Sequence, residues 1–492
     1  MAPSSRFTAA GLLAVAGVAS AFYIPEFAGV VGPGFVSIPL SAPKNTVGLR
    51  KRDGPDRTAT LEIPNLKTSG YTIKIAIGSP PQELVVAVDT GSSELWINPD
   101  CSRSSRARNM TGTDGNPVMV VDSELTDPVE CRKRGRYDQK KSSTADTSKL
   151  KGQTIQYGDF TTVEIEYVAD TITIGGLTIS DQVFGVATKS NQTGIGIMGF
   201  GPSHNGFNFT RPYPLILQSM AEQGVINSPV FSLNLGDYDA DAGSLTFGGV
   251  DTKRYTGKLA TVPFEKFSRK LQDGSEFQDT SYYVTVKSMT LQRPDGSTKT
   301  YAEQAFPVSL DCGAGANILP DGMATEICAD VNGTMITTDT CEVPCRNRQK
   351  PGGITFALNG QDITVPYKNL INEQEHEGQE PICILMMSES AHISPGILGA
   401  PFLRSAYTVY DWGNGNLHLA QAADCGSNIV AVGTGENAVP SGDGECGQEG
   451  GGQGGGDANK EGEDKKNAGL MVAANWALVG LGSVAAGFIA LV

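Results

Sequence analysis

The sequence predicts an all-β protein built of two related lobes, and three observations carry that prediction. Short alternating or apolar runs bounded by glycine and proline recur along most of the chain, an Asp-x-Gly loop occurs twice, and each loop is echoed downstream by an apolar segment ending in glycine. At 492 residues the chain is too long for one core and ample for two, with processed ends. Its 60 glycines suit a loop-rich β protein better than a helical bundle.

The strands follow in order. Residues 72–77 alternate, Gly78-Ser79-Pro80-Pro81 turns the chain, and 84–88 is an apolar strand. Further strands are expected at 154–157, 162–168, 171–174, 230–235, 244–247, 282–289, 354–358, 382–387 and 407–411, and helices only at 213–223 and 321–328. The duplication organises them. Val85-Val86-Ala87-Val88-Asp89-Thr90-Gly91-Ser92 has a partner in Pro307-Val308-Ser309-Leu310-Asp311-Cys312-Gly313-Ala314. Their echoes are Ile195-Gly196-Ile197-Met198-Gly199 and Pro395-Gly396-Ile397-Leu398-Gly399. On this pattern the N-terminal lobe is 53–248 and the C-terminal lobe 249–426.

Both ends read as processing signals. Residues 1–21 carry Arg6, a small apolar run too short to span a membrane, and Ala19-Ser20-Ala21, the features of a cleaved secretory signal. Residues 22–52 end in Arg50-Lys51-Arg52 and are expected to be a propeptide. A Gly-rich linker, 427–458, leads to a polar spacer and an apolar tail, so 459–492 reads as a GPI-attachment signal with Gly456 as the ω residue. Asn467-Ala468-Gly469 is a rival site, and a plain single-span anchor is the alternative; each tethers the body outside the cell.

With 53 acidic against 38 basic residues, the net charge of −15 argues against a nucleic-acid partner, which calls for a basic face. Nine cysteines without a Cys-x-x-Cys pair, and four histidines in all, point to disulfides in an exported chain and to no metal site. Cys101 and Cys131 bracket a polar loop and are expected to pair. Among Cys328, Cys341, Cys345 and Cys383 the preferred pairing is 345–383 with 328–341, though spacing alone does not decide it. Cys312, Cys425 and Cys446 leave an odd count. Asn109, Asn191, Asn208 and Asn332 each open an Asn-x-Thr glycosylation sequon.

The chemistry lies in the repeated loops. No Gly-x-Ser-x-Gly elbow is present and no cysteine stands in a nucleophile context. Two carboxylates brought face to face can share one proton, because close like charges do not both ionise cheaply; one then activates water and the other protonates the carbonyl oxygen.

Asp89-Thr90-Gly91-Ser92-Ser93 and Asp311-Cys312-Gly313 resemble the two active-site loops of pepsin-family aspartic peptidases. Tyr157-Gly158 is similar to the tip of that family's flap, and Trp96 follows the first loop as it does there. The resemblance covers most of the chain and looks most like fungal GPI-anchored, yapsin-like enzymes. It implies a bilobal pepsin-like acid protease fold with its active site in the cleft, polypeptide substrates, no cofactor, a monomer, and a secreted endopeptidase anchored at the cell surface or wall. Carried over residue by residue, Asp89 and Asp311 are the catalytic pair. Gly91 and Gly313 allow close approach of backbone, Thr90 makes an inter-lobe hydrogen bond, and Ser92 bonds Asp89. Tyr157 closes over the peptide, and Asp159 accommodates basic side chains.

The second loop departs from the pattern. Cys312 stands where the family has Ser or Thr, and Ala314 replaces a hydroxyl residue. A thiol is a weak hydrogen-bonding group and alanine offers none, so Asp311 is expected to lose a partner of its charged form and to rise in pKa. This departure keeps a second reading open: a catalytically impaired scaffold that binds peptides or serves the cell wall.

Overall fold

The computed structural model describes residues 70–447 except 102–107, 112–116, 121–127, 148–149, 158–160, 192–193, 203–212, 241, 271–275, 302–304, 338–339, 375–379 and 390–394, together with the backbone of strands at 30–32, 35–38 and 58–64. The expected signal, most of the expected propeptide, Gly158, Asp159, Asn208, Gly456 and the apolar tail lie outside the described residues.

In the first lobe, period-two alternation turns one side of each strand inward. β1 (Thr72–Ile77) and β2 (Gln82–Asp89) form an antiparallel hairpin, and Ile73, Ile75, Ile77, Leu84, Val86 and Val88 are buried. β3 (Leu95–Ile97), β4 (Gln153–Gln156), β5 (Thr162–Ile174), β6 (Leu177–Asn191) and β7 (Gly196–Gly199) complete a sheet ordered β6-β3-β7-β2-β1-β5-β4. Because β5 also pairs with β6, the sheet curls into a barrel. β7 runs parallel beside β2 with Gly199 opposite Asp89, and antiparallel beside β3 with Ile197 opposite Trp96.

Three strands then cross the molecule: β8 (Val230–Asn234), β9 (Ala242–Phe247) and β10 (Tyr255–Pro263). The second lobe repeats the arrangement of the first. Its strands include β11 (Glu276–Val286), β12 (Phe306–Leu310), β13 (Asn317–Leu319), β14 (Met387–Glu389) and β15 (Gly396–Leu398). β15 runs parallel beside β12, Leu398 opposite Leu310, and antiparallel beside β13, Ile397 opposite Ile318. The duplicated sequence is thus a duplicated strand pattern: an apolar strand ending at Asp, flanked by the strand that carries the echo.

β16 (Ala406–Asp411) and β17 (Asn416–Ala422) return to the crossing strands, giving the order β9-β8-β16-β17-β10, with the strand Thr58–Pro64 against β9. The strand Phe35–Ile38, within the expected propeptide, lies parallel to Thr58–Pro64. One face of this sheet carries Phe231 stacked on Tyr410 (centroids 4.5 Å), with Tyr282 and Phe200 against them. The other face carries Val230, Tyr407 and Val409. They are covered by Val432, Ala438 and Val439 of a C-terminal clasp, whose strand β18 (Ile429–Ala431) pairs with Gly249–Asp251.

The structure closes four disulfides: Cys101–Cys131, Cys328–Cys341, Cys345–Cys383, and Cys425–Cys446 at the two ends of the clasp. Cys312 is left as a buried thiol.

Several boundaries differ from the sequence pattern. The strands expected at 162–168 and 171–174 are one, β5, bent by a register shift between Asp170 and Ile172. The expected strand 282–289 breaks at Lys287, where the chain passes from β11 to the strand Ser288–Gln292. Helix α1 (Ile216–Glu222) starts later than expected because Pro214 and the extended Leu215 precede it. Helix α2 (Met323–Asp330) begins after Gly322, whose φ of 80° interrupts the helical path.

Candidate active site

The strand pairings deliver Asp89 and Asp311 to one place. Asp89 ends β2, and its carbonyl accepts the Phe200 amide at 2.7 Å. Asp311 follows β12, and its amide donates to Leu398 O at 3.1 Å. The glycines then bring the loops into contact. A Cβ on Gly91 would fall 2.3 Å from Asp311 Oδ2, and one on Gly313 would fall 2.6 Å from Asp89 Oδ1. Each loop's glycine therefore abuts the other loop's carboxylate, and no larger residue fits at either position. Gly199 and Gly399 back the two loops in the same way: added Cβ atoms would meet Ser92 O at 2.6 Å and Ala316 O at 2.4 Å.

Buried hydrogen bonds hold the loops together. Thr90 Oγ1 donates to Leu310 O at 3.0 Å and accepts the Cys312 amide at 2.9 Å. The Cys312 thiol donates back to Val88 O at 3.5 Å. This corrects the expectation for Cys312. Its side chain points into the inter-lobe core and mirrors Thr90, so the thiol costs Asp311 no partner. Burial and the two neighbouring carboxylates push the thiol's pKa well up, which keeps it neutral.

The hydrogen bonding of the pair is unequal at Ala314. Asp89 accepts the Gly91 amide at 2.7 Å and the Ser92 hydroxyl. Asp311 accepts the Gly313 amide at 2.7 Å and has the Ala314 amide in reach, but among the described residues no side-chain hydroxyl takes the place that Ser92 has on Asp89. Burial first, and the Asp89 charge second, hold the Asp311 carboxyl well above the ordinary carboxylate range. Such a pair can carry one proton between its members, with Asp311 as holder.

Tyr157 follows β4, and its hydroxyl accepts Trp96 Nε1 at 2.6 Å. Trp96 is fully buried behind the first loop, so this bond ties the β4–β5 hairpin to it. Asn332 lies in an exposed turn after α2 with φ of 58°, a conformation that asparagine tolerates. Asn109 and Asn191 are described by backbone only. Sequence reasoning passed over Glu94, a buried carboxylate beside this site. Its signal was present: the duplicated loops align Glu94 with Ala316, a change from the smallest side chains to an acidic one.

Residues 70–422 match the family model described as eukaryotic aspartyl protease. The chain belongs to that family. This aspartyl protease is 30% identical to the probable aspartic-type endopeptidase opsB of Aspergillus oryzae, over 80% of this chain and 76% of the relative. It is 29% identical to the aspartic proteinase yapsin-3 of Saccharomyces cerevisiae, over 81% and 75%. The crystal structure of the aspartic proteinase from Irpex lacteus superposes with a TM-score of 0.57 at 20% identity, covering 74% of this chain and 98% of that one, and shares the fold. The chain is thus an aspartic-type endopeptidase, a hydrolase of peptide bonds. The clasp begins where the family match ends.

Proposed function

We propose that this aspartic endopeptidase is secreted, anchored at the cell surface, and cleaves polypeptides at acidic pH through Asp89 and Asp311. The observation that carries the reading is the mutual approach of the loops, Gly91 against Asp311 and Gly313 against Asp89. Asp89 takes a proton from a water held between the carboxylates. Asp311 gives its proton to the carbonyl oxygen, and the resulting tetrahedral species collapses with protonation of the leaving amine. Tyr157, carried on the β4–β5 hairpin and bonded to Trp96, covers the peptide and excludes bulk water.

A preference for basic residues beside the scissile bond is proposed from Asp159, one residue past Tyr157-Gly158. Export is proposed from residues 1–21, activation from cleavage after Arg50-Lys51-Arg52, and glycosylation from the four sequons. Attachment through a GPI lipid at Gly456 is supported by the small-residue site, spacer and tail, and by the likeness to yapsin-3. The position of the clasp adds to this reading. It lies on the sheet face opposite Tyr410 and Phe231, so Cys446, near the end of the described residues, stands on the side away from the catalytic loops. A tether there turns the cleft outward.

The test is a peptide-library digest by the propeptide-free protein, with and without pepstatin. Cleavage at acidic pH that pepstatin blocks, and a drop of at least about a thousandfold in kcat/KM on Asp89→Asn, are expected. Absence of cleavage anywhere between about pH 3 and 7 refutes the reading and favours the peptide-binding scaffold. That alternative drew on Cys312 and Ala314 together, and the placement of the thiol leaves it only Ala314.

A further inference from the structure

Glu94 stands between the first active-site loop and β3 and has no part in the chemistry proposed above. Its side chain is 1% exposed. Oε2 accepts the Tyr213 hydroxyl, the Tyr167 hydroxyl is also in hydrogen-bonding reach, and Oε1 has no donor among the described residues. The surrounding pocket is apolar: Tyr167 and Tyr213 meet edge to face with centroids 5.5 Å apart, and Ile155, Ile165 and Val183 pack around them.

The contacts of Glu94 join three pieces of the lobe. Tyr213 precedes α1, and Tyr167 belongs to β5. The Tyr167 hydroxyl accepts Gln153 Nε2 at 2.5 Å, and Gln153 opens β4, the other strand of the hairpin that carries Tyr157. The main-chain carbonyl of Glu94 accepts the Gly199 amide at 3.0 Å, beside the first loop. The titratable groups facing the carboxyl are Tyr213, Tyr167 and Tyr157. Among the described residues no lysine, arginine or histidine enters its surroundings.

We propose that Glu94 is a positioning residue that, while neutral, docks the base of the β4–β5 hairpin against the first active-site loop, and that releases it on ionising. A neutral carboxyl suits an aromatic pocket. Among the described residues, a carboxylate there would hold a full charge with two tyrosine donors, one oxygen without a donor and no cation, and would gain by reaching water. Burial raises this carboxyl to about 7 from an ordinary value of 4.5. Released, it titrates near the lower value. The docked state is therefore favoured in full below about pH 4.5, and that preference is lost as the pH rises toward about 7. Peptide capture by Tyr157, which the same hairpin carries, weakens over the same range.

The flap role rests on the endopeptidase reading, but the decisive readout needs no activity. In full-length protein carrying Asp89→Asn, hydrogen exchange of residues 153–156 and 162–168 is compared at about pH 5 and 8 after correction for intrinsic rates. Protection there is expected to fall about tenfold or more at the higher pH, relative to β12 and β13, and Glu94→Gln is expected to remove most of that fall. An equal fall in the Glu94→Gln protein, or no fall in its parent, overturns the proposal. Should Glu94→Gln not fold, Tyr213→Phe serves. Loss of a donor to the docked carboxyl weakens docking, so release must begin at the same or a lower pH and the fall in protection at about pH 8 must be at least as large; release delayed to higher pH overturns the proposal equally. Failure of the peptide digest would leave both exchange results unaffected, so the two readings fail separately.

Discussion

At the residue scale, one hydroxyl separates the two halves of the site. Ser92 bonds Asp89, while at Asp311 Ala314 offers no hydroxyl and the partners are backbone amides and the Asp89 carboxyl. Replacing Ala314 by serine supplies a donor that favours the ionised form, so the raised Asp311 carboxyl should come down. In the proposed mechanism the shared proton must stay on the pair, so a lower Asp311 pKa means that activity is lost at lower pH. The alkaline limb of kcat/KM for Ala314→Ser is expected to move to lower pH by about half to one unit, measured on one peptide across the full profile. An unmoved limb would show that the donor never reaches Asp311. Both aspartates and the Cys312/Ala314 departure were legible in the sequence. The consequence of Cys312 was not, because a residue's spacing from Asp311 does not say which way its side chain turns. Only the packed loops show the thiol aimed at Val88 O.

At the scale of elements, the two echo segments act as backstops for the loops. Gly199 and Gly399 let β7 and β15 lie against Ser92 and against Ala314 and Ala316, with no room for a methyl group. Gly199→Ala and Gly399→Ala should each push a catalytic loop off its partner. Each is expected to cut kcat/KM by more than about tenfold and to cost roughly 1–3 kcal/mol in urea unfolding. If either alanine variant kept full activity, the close packing described here would be wrong. The echo itself could be read from the sequence, since its glycines recur at matching places in both halves. The run from β5 into β6 could not, because paired long strands with a bulge near Asp170 look like several shorter ones when only local alternation is read.

At the scale of the whole molecule, the crossing sheet joins the lobes on one face and is sealed by the clasp on the other. The Cys425–Cys446 disulfide closes that clasp over Tyr255, Tyr407 and Val409. The double variant Cys425→Ser/Cys446→Ser should lose about 3 kcal/mol of stability by removing a closed loop of this size. A lowered melting temperature under oxidising conditions, with near-normal peptide cleavage at lower temperature, is the expected result; an unchanged melting temperature would mean that the clasp holds without its staple.

The sequence by itself determined the all-β class, the duplication, and the two aspartates that the loops bring together, because strand periodicity and a loop written twice are local patterns. Tertiary structure alone decided how unequal those carboxylates are, that Cys425 and Cys446 pair, and that Glu94 is buried against the base of the β4–β5 hairpin. These depend on which groups meet across hundreds of residues, and on how much water is left around them, and neither quantity is carried by neighbours in the chain.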